Sequence, residues 1–134
     1  MMLWKTDEVP GIYLSSLCTW REGRGEPADG WRGILHVILN RSRRPGWWGQ
    51  SLASVVLCPK QFSSFNPGDP NADQMPAADD RVFQQILALA EKVMSGQDED
   101  LTGGATHYHT LDTHPDWDKS MAQTAIIGNH IFFK

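Results

Sequence analysis

Between Asp29 and Arg43, the apolar residues Trp31, Ile34, Leu35, Ile38 and Leu39 fall at i, i+3, i+4, i+7 and i+8. That spacing lays an apolar stripe along one helix and requires partners to cover it. Pro27 or Asp29 opens the segment and Pro45-Gly46 stops it. Two further segments can supply the cover. From Thr6 to Arg21, Val9, Ile12, Tyr13, Leu17 and Trp20 recur at helical steps, with Pro10 and Gly11 in the first turn, where proline costs little. From Asp79 or Asp80 to Ser95, a regular stripe runs through Val82, Phe83, Ile86, Leu87, Ala90, Val93 and Met94. An acidic cap precedes it and Gly96 follows at the C′ position. Ser51–Leu57 reads as a shorter helix.

Turn formers fill the gaps: EGRGEPADG, RRPGWWGQ and the long SFNPGDPNADQMPAADD. After residue 101 the pattern changes to ATHYH and AIIGNHIFFK, β-favouring stretches with Gly128-Asn129 at a turn. The expectation is a mainly α (α+β) chain, one domain over residues 1–134, with a small C-terminal antiparallel β element. A length of 134 residues suffices for a core, because such a chain buries roughly two-thirds of its unfolded surface.

Charge narrows the partners. Residues 1–60 carry a net +3 and residues 61–134 a net −7. The basic half contains Arg41, Arg43, Arg44 and Lys60, read as a solvated helix end where cations suit the dipole. With a pI near 5.6, nucleic acid is not an expected partner. No apolar run approaches the ~20 residues of a membrane span, so no membrane insertion is expected. Asp7 and Glu8 near the N-terminus argue against a secretory signal, which points to synthesis and folding in cytoplasm. Cys18 and Cys58 read as two reduced, partly buried thiols.

Three clusters bear chemistry. In REGRGEP (21–27), Glu22 and Glu26 are four positions apart, and Trp20 precedes them. A glutamate at a helix C-terminus, beside an aromatic and facing a cleft, is disfavoured as an anion by desolvation and dipole alike. It can then hold a proton near neutrality as a glycosidase acid does. An ordinary helix–helix corner with two solvated acids is the competing reading. The second cluster is His107, His109 and His114. On a strand, His107 and His109 share a face, and with His114 they could bind zinc or serve as hydrogen-bonding groove residues. The third is a set of aromatics in polar loops, including Phe62, Tyr108 and Trp117, with Gln61 and Ser63 beside them. Rings and amides in that mixture suit a sugar-binding cleft. GRGEPADG lacks the Lys-Ser/Thr of a phosphate-binding loop.

Taken together, WREGRGEPADGWRGILHVILNR (20–41), CPKQFSSFN (58–66), TGGATHYHTLDTHPDWDKSM (102–121) and IIGNHIFFK (126–134) resemble the SleB-type cell-wall hydrolases. That family includes spore-cortex lytic enzymes and phage endolysins. The resemblance implies a lysozyme- or lytic-transglycosylase-like helical domain. It implies cleavage of peptidoglycan glycan strands between N-acetylmuramic acid and N-acetylglucosamine, without a cofactor. The family's catalytic glutamate falls on Glu22, and Tyr108 falls on a groove-lining tyrosine. Glu26, Gln61, Phe62, Ser63, His107, Tyr108 and Trp117 are the expected substrate-binding residues. Glu26 either supports the site through backbone or Arg24 or acts as a second acid/base. The chain is expected to act as a monomer on the bacterial wall, reaching it from the cytoplasm by holin-type release in the manner of a phage enzyme. Two rivals stand beside this: a zinc-dependent amidase or peptidase using His107, His109 and His114, and a non-catalytic glycan-binding module.

Overall fold

A computed structural model describes residues 9–134 except Pro45, Pro59 and Lys60; of Val9 and Ser63 only the backbone is described. Four helices come first: α1 (Val9–Gly23), α2 (Ala28–Arg43), α3 (Leu52–Leu57) and α4 (Arg81–Met94). Three strands follow: β1 (His107–Thr110), β2 (Gln123–Ile127) and β3 (His130–Phe133). They form one antiparallel sheet in the order β1-β3-β2. Single 3-10 turns lie at Ser63–Phe65 and Asp116–Ser120. No helix among the described residues is long and apolar enough to cross a membrane.

Local signals fix most boundaries. Asp80 accepts a hydrogen bond from the Phe83 amide at 2.8 Å and opens α4. Gly96, at φ +80°, closes it in the left-handed conformation that glycine adopts without steric cost. Ser51 and Ser54 cap α3 reciprocally, each side chain bonding the other's amide. Gly128, at φ +56°, and Asn129 make the two-residue turn between β2 and β3. Helix α1 continues two residues past Arg21, to Gly23. The expected start at Thr6 lies outside the described residues.

Helix α2 departs from the single-stripe expectation. It is buried on nearly every side, from Gly30 to Leu39 with only Arg32 partly exposed. The cause is that each neighbour packs on a different face of it. Ile34 and Ile38 pack with Cys18, Val55, Val56 and Phe62; Leu35 and Leu39 with Ile12, Ala90 and Val93. Trp31 joins Leu17, Trp20, Phe83 and Ile86, while Val37 meets Ala105 and Phe132 under the sheet. Each such fully buried aliphatic side chain contributes ~2 kcal/mol. Two polar residues on α2, His36 and Asn40, are satisfied by the segment that leads into the sheet. His36 Nε2 lies 2.9 Å from Asp98, and Asn40 donates to Asp100 at 3.0 Å and to the Ala105 carbonyl at 2.9 Å.

Three local expectations are corrected. Arg41 is not a solvated helix end: it is 5% exposed, and its Nε donates to the Thr106 carbonyl at 2.7 Å. Arg43 and Arg44 do face solvent. Phe62 is not a groove residue, because the space between α1, α2 and α3 takes its ring into the core at 2% exposure. Trp20 does not shield Glu22; it packs toward α4 with Phe83 and Ile86. Cys18 is buried, Cys58 is half-buried, and both are free.

The sheet touches α2 most closely at Gly33, where an added Cβ would stand 2.5 Å from Cζ of Phe132, a fully buried ring. Gly33→Ala should therefore destabilise the domain by about 1–3 kcal/mol through overpacking, measured as a lower denaturant midpoint with an unchanged slope.

Candidate active site

Glu22 stands in the last turn of α1, where a cleft of about 570 Å³ opens between the helix corner and the sheet. Arg24, Glu26, Asn71, Asn129 and His130 are among the residues lining it. The corner is built by Gly23, whose carbonyl accepts the Trp31 indole N–H at 2.7 Å and ties α1 to α2. The long 61–80 loop is pulled onto the same corner by two arginines. Arg21 donates to the carbonyls of Gln74 and Ser64 at 3.0 and 3.2 Å and to Met75 Sδ at 3.5 Å. Arg24 donates to Asn71 Oδ1 and Gln74 Oε1 at 3.3 and 3.1 Å.

The Glu22 carboxyl is half-buried. Desolvation raises its pKa above the ordinary 4.5, opposed by the Ser64 hydroxyl and amide and by the Tyr108 hydroxyl, while the charge of Asp69 adds to the rise. The Ser64 hydroxyl is buried and makes no hydrogen bond of regular geometry. Tyr108 Oη donates to Glu22 Oε1 at 3.3 Å. Burial and the neighbouring carboxylate raise the phenol's own pKa, keeping it a donor at neutral pH. The second carboxylate differs: Glu26 Oε1 accepts the Asn129 amide at 2.7 Å and lies 3.5 Å from His130 Nδ1. Burial lowers the His130 pKa, against the pull of Glu26, so its imidazole is neutral at pH 7. Glu26 thus bonds a backbone amide, one of the two expected supports, and Arg24 bonds elsewhere.

The expected substrate residues divide between two hollows. Glu22 and Glu26 line the first; Gln61, His107, Tyr108 and Trp117 line a second, of about 420 Å³. The Tyr108 hydroxyl on Glu22 joins them. His107 and His109 do share a face of β1, both against the Trp117 ring at 5.1 and 5.6 Å. His109 Nδ1 donates to the Thr110 carbonyl at 2.7 Å and its Nε2 lies 3.1 Å from Asp118, while His114 is exposed. Among the described residues no three His, Cys, Asp or Glu side chains gather to hold a metal ion. The Ser63 side chain lies outside the described residues. Ser64 was among the hydroxyls expected at a sugar-binding cleft, whereas sequence reasoning missed His130, Asn129 and Asn71 as site residues. Of these, only His130 carried a usable signal, a titratable group two residues from Phe132 on the strand face that meets α2.

Removing the Tyr108 hydroxyl removes a bond that favours the Glu22 anion. Tyr108→Phe should therefore raise the Glu22 pKa further, read from the carboxyl carbon shift in an NMR titration. A Glu pKa above its unfolded value means that the native state holds the proton more tightly, so the group's contribution is fully favourable below about 4.5 and is lost as pH rises through the folded pKa. Glu22→Gln should accordingly be more stable than the wild type at pH 7, with the difference closing as pH falls through the folded pKa and gone below about 4.5.

The fold and the sequence have known relatives. A spore cortex-lytic enzyme of Halalkalibacterium halodurans is 32% identical over 122 residues, which is 90% of this chain and 34% of that protein. The chain thus spans about a third of the curated relative that it matches. The crystal structure of the catalytic domain of the Bacillus cereus SleB protein superposes with a TM-score of 0.71 at 27% identity, over 92% of this chain and 89% of that one. The catalytic domain of the germination-specific lytic transglycosylase SleB from Bacillus anthracis gives 0.69 at 25%, over 98% and 97%. The family model described as Cell Wall Hydrolase matches residues 25–133, beginning three positions after Glu22. By that match and by the shared fold, the chain belongs to the cell wall hydrolase family.

Proposed function

We propose that this chain is one catalytic domain that cleaves the glycan strand of peptidoglycan between N-acetylmuramic acid and N-acetylglucosamine, as a lytic transglycosylase with Glu22 as its acid and base. The carrying observation is the Glu22 carboxyl itself, which opens on a cleft and is raised in pKa by burial. The relatives, a spore cortex-lytic enzyme and a germination-specific lytic transglycosylase, support the substrate and reaction class.

In this reading protonated Glu22 gives its proton to the glycosidic oxygen as the C1–O bond breaks. The Tyr108 hydroxyl, 3.3 Å from Oε1, then stabilises the carboxylate that remains. That carboxylate takes the proton of the muramoyl 6-hydroxyl as its oxygen bonds to C1. The 1,6-anhydro ring closes and Glu22 is again protonated, with no water consumed. The substrate brings the nucleophile, so a second catalytic carboxylate is not needed. That agrees with Glu26 being occupied by the Asn129 amide. Glu26 then shapes the groove, with Gln61, His107, Tyr108 and Trp117 contacting the strand. The proposal includes a monomer delivered to the wall through another protein's pore, in the manner of a phage lysis enzyme.

Digestion of purified peptidoglycan, with soluble products read by mass spectrometry, tests the reaction. Anhydromuropeptides are expected. Reducing muropeptides one water heavier would overturn the intramolecular step, and free peptides would overturn the glycosidase reading altogether. Glu22→Gln should lower the release rate by about 10³-fold or more, since proton transfer alone supplies about 10²–10⁴. Circular dichroism should show an intact fold.

A further inference from the structure

The second hollow contains a charge that the fold does not use. Arg41 is 5% exposed and lines that hollow together with Trp47, Gln61, His107, Tyr108 and Trp117. Its Nε is spent on the Thr106 carbonyl, and its guanidinium lies 5.3 Å from the Phe62 ring and 5.5 Å from the Trp48 ring. Nη1 is buried with no hydrogen-bond partner, and among the described residues no carboxylate pairs with Arg41. Arg21, equally buried, shows the contrast: each of its three nitrogens meets an acceptor in the 61–80 loop.

Among the described residues lining the hollow, none carries a balancing charge. Burial and the field of Arg41 itself lower the His107 pKa to about 4, so that imidazole is neutral at pH 7. Tyr108 and Cys18, the groups closest in electrostatic effect, are pushed up and stay protonated. A buried cation without a counter-ion is costly to maintain. A planar guanidinium fork with free N–H groups fits a carboxylate in particular.

We propose that this hollow is a carboxylate-binding subsite in which Arg41 holds an acid group of the bound wall polymer, with Trp47 and Trp117 against the polymer's apolar faces. This rests on the glycan reading above. Tyr108 forms the shared wall, its ring lining the hollow and its hydroxyl on Glu22, so the acid group sits beside the muramoyl unit being cleaved. Peptidoglycan offers two sources with the same chemistry: the lactyl carboxylate of a peptide-free muramoyl unit and the free carboxylate of a short stem peptide.

Titrations of the full chain followed by tryptophan fluorescence separate them. The probes are N-acetylmuramic acid, its lactyl amide, N-acetylmuramoyl-L-alanyl-D-isoglutamine, that peptide with its free acid amidated, and glycerol phosphate. At least one acid should bind about tenfold more tightly than its own amide, a difference of 1.4 kcal/mol. That preference should weaken in high salt and vanish in Arg41→Gln. The probe showing it identifies the source. If Arg41→Gln does not fold, Gln61→Glu places a competing carboxylate in the same hollow and should reduce the preference while keeping the guanidinium. Equal binding of acids and amides, binding of glycerol phosphate alone, or an acid preference that survives in Arg41→Gln would each overturn the subsite. The glycan reading is judged separately, by whether Glu22→Gln still releases muropeptides.

Discussion

Burial of α2 on nearly every side is the constraint on which the rest of the molecule depends. A helix with residues in all four core clusters cannot be half-covered, so α1, α3, α4 and the sheet must each dock on a different face of it. The Glu22–Tyr108 contact is a product of that arrangement. Glu22 rides on α1 and Tyr108 on β1, elements with no direct sequence link, and α2 is the body against which both are set. Phe132 against Gly33 fixes the height of the sheet, and the Gly23–Trp31 hydrogen bond fixes the end of α1. The Glu22–Tyr108 distance is thereby set by apolar packing some distance away.

The two glutamates of the REGRGEP corner show how one local sequence can yield two environments. Glu22 stays in the helix, loses water and gains one phenolic donor. Glu26 lies past Gly23 and Gly25, where the chain has turned toward the hairpin, and it bonds a backbone amide there. Four residues of spacing left Glu26 either a support or a second acid/base, and the turn between the two gives them different partners.

What could be read from the sequence was local. The stripes of α2 and α4, the Asp80 cap, the Gly96 stop and the Gly128-Asn129 turn are written in residues within a few positions of one another, and each appears where the pattern placed it. Glu22 and Tyr108 could be nominated by motif and resemblance, though not shown to touch. The misplaced residues all depend on which distant element arrives. Phe62 looks like a cleft aromatic until the helices cover it. Arg41 looks like a solvated helix end until Thr106, 65 positions on, brings its carbonyl to Nε. His130 gains meaning only when the hairpin folds back over Glu26.

The hairpin tip has a consequence of its own. A Cβ at position 128 would meet Glu26 Oε1 at 2.8 Å, and the same oxygen grips the next amide along. The β2–β3 turn is thus latched to the rim of the cleft, and the latch is one carboxylate wide. A side chain at position 128 would have to displace the Glu26 carboxylate from that grip. A relative that changed position 26 or 128 alone would inherit the acid at position 22 but a cleft of different width. Within the fold, then, the width of the cleft can be altered at this rim without touching the Glu22–Tyr108 contact.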